Sequence, residues 1–372
     1  MHTNQKLKIN IGPQHPSTHG VLRLVLELDG ETIKSCEPVV GYLHRGMEKM
    51  AENRIFLQYL PTVDRIDYLG GFFNSYAYCA AVEKLSGMDV SKRTGCIRVL
   101  TMELNRLSSH LLWLGTFLLD LGATSPLFYS FRDREIILSF FEKLTGQRMM
   151  YNYYTFGGVR HDVDNNWLSE VEAFVKSMPQ KIKDYEHIIT DNPIFTSRTK
   201  NLGVITKRMA SEYSITGPNL RASGVDCDCR KDPIAKEYSN LYKELDFDII
   251  IKNNGDSYDR YTARIDEMKE CLKIVEQCCQ WLKSNPGNVI TSSKLPTLKV
   301  PEGECISYVE APRGLCSCYL KTDGGTMPYR LKWRTGSFYA VQLLPKLLEG
   351  AQYPDLMAIF GSLDVILPEV DR

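Results

Sequence analysis

The sequence predicts an α+β protein with a helical bundle as its core and small β elements near the N-terminus and late in the chain. Alternating apolar residues before residue 40, helical periodicity after residue 45, and Gly- and Pro-rich β-like runs over 286–334 support this class. The 372 residues are 43% hydrophobic and 24% charged, as in ordinary globular proteins. We expect one domain over 1–372, with residues 1–40 as its β-rich N-terminal part.

Two runs of residues support the N-terminal β prediction. Residues 6–12 are typical of a short strand, and residues 21–38 alternate between apolar and polar positions. A DG dipeptide divides the second run, and this dipeptide between alternating segments is typical of a hairpin turn. We therefore expect a small sheet built from these runs.

The segment between the two runs is GPQHPSTHG, from Gly12 to Gly20. Its two prolines lack backbone donors and restrict the backbone of their neighbours, so the segment cannot be a helix. The two histidines, His15 and His19, therefore lie on a loop and are not one face of a helix. Many hydrogen-bonding groups on a loop make this segment a candidate site.

Helical patterns fill the middle of the chain. The longest covers 90–121, where apolar residues recur at three- and four-residue steps. A second helix is predicted over 64–85, with Asp64 as its N-cap and an end near Gly87. A third, over 258–283, carries an apolar stripe from Tyr261 to Leu282, with its charged residues elsewhere on the helix. Further helices are predicted at 126–145, 166–188 and 336–349, followed by a short C-terminal tail.

The charge balance excludes several classes of protein. Lys+Arg and Asp+Glu both number 45, so we expect neither nucleic-acid binding nor attachment to an anionic membrane surface as the main task. The longest uncharged stretch is about 15 residues, which is shorter than the ~20 apolar residues of a spanning helix. No signal-peptide pattern begins the sequence. We expect a reducing compartment, on the cytoplasmic side or its organelle equivalent.

Familiar local motifs for cofactors are missing from the sequence. The eleven cysteines include no C-x-x-C pair, which favours free, buried thiols over a zinc or iron–sulfur site. No Gly-Lys dipeptide, no G-x-G-x-x-G after a strand and no H-E-x-x-H occurs. If the chain takes part in redox chemistry, we expect another chain to supply the electrons.

Three groups of residues bear chemistry that a quinone would need. They are the two loop histidines, the DRIDY segment that ends at Tyr68, and Asp120, the first charge after a long apolar run. A quinone headgroup needs a donor for each carbonyl oxygen, and both oxygens gain protons on two-electron reduction. Imidazole and a phenol can supply them, and a carboxylate behind the imidazole favours its protonated form. Spacing alone does not pair His19 with Tyr68, and a metal site or a purely structural role for the histidines stays open.

Eight motifs in order carry a resemblance to a known family. They are GPQHPSTHGVLRL, GYLHRGMEK, DRIDYL, MELNRLSSHLLWLGTFLLDLGA, FRDRE, GPNLRASGVD, YDRYTARIDEMK and EVDR. Together they resemble the quinone-site subunit, the D subunit, of proton-pumping NADH-quinone oxidoreductase, respiratory complex I. The same family includes the equivalent H subunit of photosynthetic complexes and is related to the large subunit of nickel–iron hydrogenases, whose fold the resemblance implies.

The resemblance also implies roles for individual residues. His19 and Tyr68 match the ligands of the quinone headgroup, and Asp120 matches the carboxylate partner of His19. Arg45 matches an arginine beside the neighbouring iron–sulfur cluster, and Thr116 matches a threonine that lines the quinone cavity. The remaining residues of these motifs with supporting roles are His15, His44 and Arg65.

The family implies partners and cofactors for the chain. Quinone is the substrate, the nearest [4Fe–4S] cluster belongs to the small B subunit, and NAD(H) binds elsewhere in the complex. The C and I subunits and the membrane-embedded H subunit are the other expected neighbours. The implied location is peripheral, on the cytoplasmic side of the inner membrane or on the matrix or stromal side.

Two departures from related proteins bear on function. Both nickel-binding C-x-x-C pairs of the hydrogenases are missing, which disfavours a nickel enzyme. Met150 stands where many respiratory members carry a histidine close to the cluster, so the electron donor stays open between NADH, NADPH and ferredoxin. The alternatives are a hydrogenase-like enzyme and a scaffold subunit without quinone chemistry of its own, and the intact His19, Tyr68 and Asp120 favour an active site.

Overall fold

A computed structural model describes residues 7–13, 20–290 and 298–372. It confirms the α+β class, because long helices form the centre of these residues and small antiparallel sheets lie beside them. The predicted histidines His15 and His19 lie outside the described residues. The single domain over 1–372 stays a prediction.

The N-terminal sheet contains three antiparallel strands in sequential order. The DG turn is confirmed at Gly30, whose φ of 62° suits a residue without a side chain. Leu24, Leu26 and Leu28 are buried, as expected of alternate residues on one face of a strand. The strands are β1 Leu7–Ile11, β2 Arg23–Asp29 and β3 Thr32–Val39.

The long predicted helices are confirmed close to their expected bounds. The longest begins after Ser91, whose side chain accepts a hydrogen bond from the Thr94 amide, as an N-cap does. These helices are α4 Lys92–Asp120, α5 Ser125–Thr145, α6 Asn165–Ile189, α11 Ser257–Ser284 and α12 Gly336–Leu348.

Shorter elements connect the long ones, and the sequence pattern predicted few of them. The late β elements were predicted and form an antiparallel sheet in sequential order, β6 Gly303–Ala311, β7 Gly314–Thr322 and β8 Arg330–Arg334. The helix predicted over 64–85 is α3 Gly71–Ser86, which begins later than expected. The remaining short elements are α1 Met47–Ala51, α2 Phe56–Val63, β4 Tyr154–Thr155, β5 Gly158–Val159, α7 Pro193–Thr199, α8 Lys207–Glu212, α9 Gly217–Arg221 and α10 Lys236–Tyr242.

The prediction of Asp64 as a helix N-cap is wrong. Helix α3 begins at Gly71, and Asp64 instead follows the end of α2. Its carboxylate is buried and accepts hydrogen bonds from the Ser75 hydroxyl and from the Asn152 amide, at 2.8 Å for the latter. These distant partners hold it, so it cannot cap a following turn. The predicted end near Gly87 is confirmed by its φ of 62°.

The C-terminal residues, predicted as a short tail, contain two short helices. They are α13 Leu356–Ser362 and α14 Leu367–Asp371. Both are largely buried, and α14 packs against α12. Burial of their apolar residues against neighbouring helices stabilises helices too short to persist alone.

Buried apolar side chains form two clusters. One surrounds α3–α6 and α11, and the other joins the N-terminal sheet to α12–α14. The apolar stripe of α11 lies in the first cluster, as predicted. The opposite face of α11 is buried as well, with Arg264 and Glu267 fully inaccessible or nearly so, which the sequence pattern did not predict.

Charged and polar side chains of several elements meet in the interior. Arg221 lies 2.6 Å from Glu310, Arg230 lies 2.7 Å from Asp228, and His110 Nε2 lies 3.1 Å from Glu267. Burial lowers the pKa of His110, which favours its neutral form. Mutually paired ions recover part of their desolvation free energy, and their geometry fixes how the helices pack.

Candidate functional site

Residues 64–70, called the DRIDY turn after their first five residues, lie between α2 and α3. Buried ionic contacts fix this turn. Asp67 accepts two hydrogen bonds from Arg313 Nη2, both 2.7 Å long, and one from the Leu69 amide at 3.0 Å. Asp67 and Arg313 are 1% and 2% exposed, so the pair is shielded from solvent. The backbone just before and just after Tyr68 therefore has a defined position.

Arg313 also connects the turn to other parts of the chain. Its Nη1 donates to the Ser109 hydroxyl of α4 at 2.9 Å and lies 3.3 Å from Asp364. Asp67 follows Ile66 of the first apolar cluster, and Asp364 stands between Leu363 and Val365 of the second. The guanidinium thus holds the turn at the junction of the two clusters.

Tyr68 is half-buried at this junction. Burial, reinforced by the charge of Asp67, raises the pKa of its hydroxyl above the ordinary value, and Arg313 opposes the shift. Among the described residues the hydroxyl has no hydrogen-bond partner, although its flanking backbone is held on both sides. A protonated phenol in this position can donate a hydrogen bond to a bound molecule.

One face of α4 contacts the DRIDY turn and extends from it towards the C-terminal end of the helix. Asn105 donates to the Leu69 carbonyl at 2.8 Å, and Ser109 accepts from Arg313. At 3.6 residues per turn, Asn105, Ser109, Thr116 and Asp120 fall within about 60° of one another around the helix. The helical rise places Asp120 about 16 Å beyond Ser109 along this face.

The two predicted residues on this face differ in their surroundings. Thr116 is buried and donates to the Trp113 carbonyl at 3.2 Å, so its methyl group is free to face a neighbour. Asp120 is half-buried at the last position of α4 and has an electrostatic or hydrogen-bonding partner.

The GYLHRG segment, residues 41–46, is bound by the C-terminal residues. The Asp371 carboxylate accepts hydrogen bonds from the Gly41 and Leu43 amides, each 2.7 Å long. The His44 ring donates from Nδ1 to the Asp371 carbonyl at 2.7 Å. The GYLHRG segment and the C-terminal residues are therefore adjacent.

Arg45 connects that segment to the DRIDY turn. It is exposed, and its Nη2 donates to the Arg65 carbonyl at 2.6 Å, three residues before Tyr68. Arg65 is also exposed, and its own guanidinium donates to the Pro61 carbonyl at 2.8 Å. Both cations lie at the surface beside the turn, where a partner chain can reach them.

The ends of the histidine-bearing loop are anchored near the same region. Gly12 has φ 81°, and a Cβ there would lie 2.0 Å from the Leu22 carbonyl oxygen, so only glycine fits. Gly20, next to His19 in sequence, lies against Leu367 of α14. The loop therefore ends beside the helix that holds the GYLHRG segment through Asp371.

Comparison with known proteins identifies the family. The family model described as "Respiratory-chain NADH dehydrogenase, 49 Kd subunit" matches residues 120–298 and 290–372. The chain belongs to this family. A relative from Geobacillus thermodenitrificans, named as the D subunit of NADH-quinone oxidoreductase, is 46% identical over 368 residues, 99% of both chains. Relatives of the same name are 46% identical in Geobacillus kaustophilus, over 99% of this chain and 98% of theirs, and 45% identical in Bacillus cytotoxicus, over 99% of both.

The family resemblance predicted from the ordered motifs is thus confirmed, and with it the assignment to an oxidoreductase subunit. In the described part of the chain, no helix is long and apolar enough to cross a membrane. The same residues contain no cluster of three or more His, Cys, Asp or Glu side chains that could hold a metal ion.

This family member brings together some of the predicted residues. Arg45, Arg65 and Tyr68 meet at the DRIDY turn, and Thr116 and Asp120 share the face of α4 that contacts it. Sequence reasoning missed Arg313, Asp364 and Glu369, which surround the turn. The available signal was a lone arginine in the APRG segment between two β-like runs, together with acidic residues in an otherwise apolar C-terminus.

Met150 lies in a segment that packs on the same turn. It has a left-handed φ of 58°, and the following Tyr151 stacks on Phe72 with ring centroids 4.1 Å apart. Asn152, also left-handed, donates its amide to Asp64. Met150 is therefore close to the DRIDY turn, and its side chain cannot titrate.

Glu369 gives a pH-dependent contribution to stability. It is buried beside Ser337 and Asp67, and burial raises its pKa from 4.5 to about 7. Between these pH values the folded chain keeps a proton that the unfolded chain has released, so stability falls as pH rises through this window. We expect the free energy of unfolding of Glu369→Gln to decrease over this window by about 1–3 kcal/mol less than that of the wild type.

The measurement is thermal unfolding of the chain within its purified complex at pH 5 and pH 8, for wild type and variant. Burial also raises the pKa of Asp64 to about 6, but Asp64 contributes equally in both proteins, so their difference isolates Glu369. An identical pH dependence in the two proteins would show that Glu369 does not titrate in this range.

Proposed function

We propose that this chain forms, with a cluster-bearing small subunit, the site at which a quinone headgroup is reduced in a proton-translocating oxidoreductase. Electrons from NADH, NADPH or ferredoxin arrive through the partner's [4Fe–4S] cluster. The quinone takes up two electrons and two protons and leaves as the quinol. The observation that carries the proposal is the fixed, half-buried Tyr68, whose hydroxyl has no hydrogen-bond partner in the described residues.

Tyr68 supplies one of the two donors that the headgroup needs. Its raised pKa keeps the phenol protonated at neutral pH, so it donates to a quinone carbonyl in the resting state. Because a buried tyrosinate is unfavourable beside Asp67, a proton that it gives to the reduced quinone must be replaced quickly. The rigid turn keeps the hydroxyl in place during this exchange.

His19 supplies the second donor in this proposal. It lies outside the described residues, but Gly20 places the end of its loop beside α14. Asp120 holds the imidazole and favours its protonated form, so that the ring can deliver a proton to the second oxygen. Thr116, one turn earlier on α4, lines the quinone cavity in this proposal.

Arg45 belongs to the surface that faces the cluster. Its exposed guanidinium is oriented by the Arg65 carbonyl and adds positive charge where electrons arrive. His44 and Arg65 support this arrangement, and His15 supports the loop.

Exposed aromatic residues on α5 support a large partner interface. Phe128 is 68% exposed, and Tyr129, Phe131 and Ile136 are exposed beside it. Large exposed apolar side chains on one helix favour a protein–protein contact there. We propose the small B subunit as the partner there, with the C and I subunits and the membrane-embedded H subunit as further neighbours on the cytoplasmic, matrix or stromal side.

Coupling to proton pumping begins, in this proposal, with charge changes at His19 and Asp120. Loss of a proton from the imidazole changes the charge on the loop from Gly12 to Gly20. The change is then transmitted to membrane subunits.

A photoreactive quinone analogue tests the proposed site directly. In the assembled complex, illumination is expected to attach the analogue to peptides that contain the DRIDY turn or the end of α4, and natural quinone should compete. Attachment confined to other regions of this chain, or no attachment to it, would contradict the proposed site and favour the scaffold alternative.

Asp120→Asn is expected to shift the pH dependence of quinone reduction. Without the carboxylate, imidazole loses its proton more easily, so the decline of the rate with rising pH should begin about one pH unit lower. The measurement is the quinone-reduction rate of membranes from pH 5.5 to 9, with assembly checked by co-purification of partners. Asp184→Asn, on the exposed side of α6, is the control, and an Asp120→Asn profile equal to it would exclude the pairing with His19.

A further inference from the structure

A cavity of about 520 Å³ lies between the start of α4, helix α10 and the C-terminal half of α11. Its apolar wall includes Val99, Leu241 and Trp281. The helical rise places this end of α4 about 30 Å from Thr116, so the cavity is separate from the proposed quinone site. Nothing in the proposed function uses it.

Two cysteines from different helices meet in this cavity. Cys96 of α4 and Cys278 of α11 both line it. Cys96 Sγ also lies 3.8 Å from the Cys278 carbonyl oxygen, to which the thiol donates. Cys96 is half-buried and open to the cavity, whereas Cys278 is fully buried behind it.

The other cysteines of this region do not share this arrangement. Cys271 and Cys279 are fully buried and do not line the cavity. Contact with Cys96 and burial raise the pKa of Cys278, which disfavours Cys278 as the first thiol to react. The accessible thiol is therefore Cys96, with Cys278 placed to react second.

The polar rim of the cavity suits a small, charged, peptide-like reagent. Lys92 lies there, 2.6 Å from Glu244 and 5.6 Å from the ring centroid of Trp281. Gln277 and Asn285 also line the cavity, but the Gln277 amide is hydrogen-bonded to the backbone of Asp246 and Lys273, and Asn285 Nδ2 donates to the Trp281 carbonyl. The volume is within the ordinary range for small-molecule pockets.

We propose that Cys96 and Cys278 form a reversible disulfide when a low-molecular-weight disulfide enters this cavity. The Cys96 thiolate attacks one sulfur of the reagent, forming a mixed disulfide and expelling one thiolate. Cys278, after losing its proton, attacks the Cys96 sulfur and expels the second thiolate. The two protein thiols are oxidised, the reagent is reduced to two thiols, and the two thiol protons pass to the leaving groups.

The bond would join α4 to α11, the two helices that carry the buried ionic contacts. Because α4 also carries Thr116 and Asp120, oxidation would fix the helix on which the proposed quinone site depends. The disulfide itself does not depend on that site, so its formation can be tested without any measurement of quinone reduction.

The test treats the purified, assembled complex with oxidised glutathione, followed by alkylation of free thiols, digestion and mass spectrometry. The expected product is a peptide pair joined through Cys96 and Cys278, released by dithiothreitol. Doubling the oxidised glutathione concentration should double the rate of mixed-disulfide formation and leave the second step unchanged.

Alanine variants separate the two steps. Cys278→Ala should stop at a mixed disulfide on Cys96, Cys96→Ala should give neither product, and Cys279→Ala should behave as wild type. A wild-type chain in which Cys96 stays unmodified, keeps the mixed disulfide, or pairs with another cysteine would overturn the proposal.

Discussion

Replacing Tyr68 by phenylalanine is expected to lower quinone reduction by roughly 100-fold while the complex still assembles. The substitution removes one hydroxyl and keeps the ring. The hydroxyl has no hydrogen-bond partner among the described residues, so its loss leaves no partner unsatisfied there. Only the donor to the quinone carbonyl is lost. The measurement is quinone reduction in membranes, normalised to the amount of chain that co-purifies with its partners.

Tyr353→Phe is the matched control, because Tyr353 is exposed at 40% and remote in sequence from the site motifs. It should keep wild-type activity and wild-type assembly. If Tyr68→Phe also keeps wild-type activity and assembly, the headgroup binds elsewhere, and the result favours a scaffold subunit without quinone chemistry of its own. If assembly fails, the photoreactive quinone on the wild-type complex still decides where the headgroup lies.

Arg313→Met is expected to destabilise the chain by about 3–5 kcal/mol, because it leaves Asp67 and Asp364 buried without their shared cation. This loss is a large fraction of the stability of an ordinary domain. We expect little chain to be recovered in the complex, and the remainder to unfold at lower temperature. Arg313→Lys should recover part of the loss, since it keeps the charge but not the planar guanidinium, whose two terminal nitrogens contact Asp67 and Asp364.

Lys346→Gln serves as the control for charge removal. Its ion pair with Glu349 lies at the surface, where solvent screens it, so recovery should equal that of wild type. Equal recovery of Arg313→Met and wild type would show that the Asp67–Arg313 pair does not hold the turn.

Local sequence patterns predicted the elements that depend on local order. Periodicity located α4, α5, α6, α11 and α12 to within a few residues, since each has a long apolar stripe and a recognisable start or end. It failed at Asp64, where the residue types of an N-cap are present but the partners are Ser75 and Asn152. Hydrogen bonds between residues so far apart in the sequence produce no periodic pattern of residue types.

The candidate site was predictable only in part for the same reason. The sequence indicated Tyr68 and Asp120 as a phenol and a carboxylate that suit quinone chemistry. Their proposed roles came from the family motifs. Arg313 and Glu369 were missed because their importance comes from burial beside Asp67, which spacing does not reveal. Glu267 of α11 was likewise not expected in the interior, where it pairs with Arg221 of α9 and contacts His110 of α4.

The Asp67–Arg313 pair spans 246 positions of sequence, and this separation has a consequence for biogenesis. While the ribosome is still synthesising the middle of the chain, the nascent polypeptide already contains Tyr68 but lacks the cation that orders its turn. Contacts of such long range form late, because the intervening chain must first be closed into a loop. Incomplete translation products would thus expose the phenol without offering an organised quinone pocket, and affinity for quinone should arise only near the end of maturation.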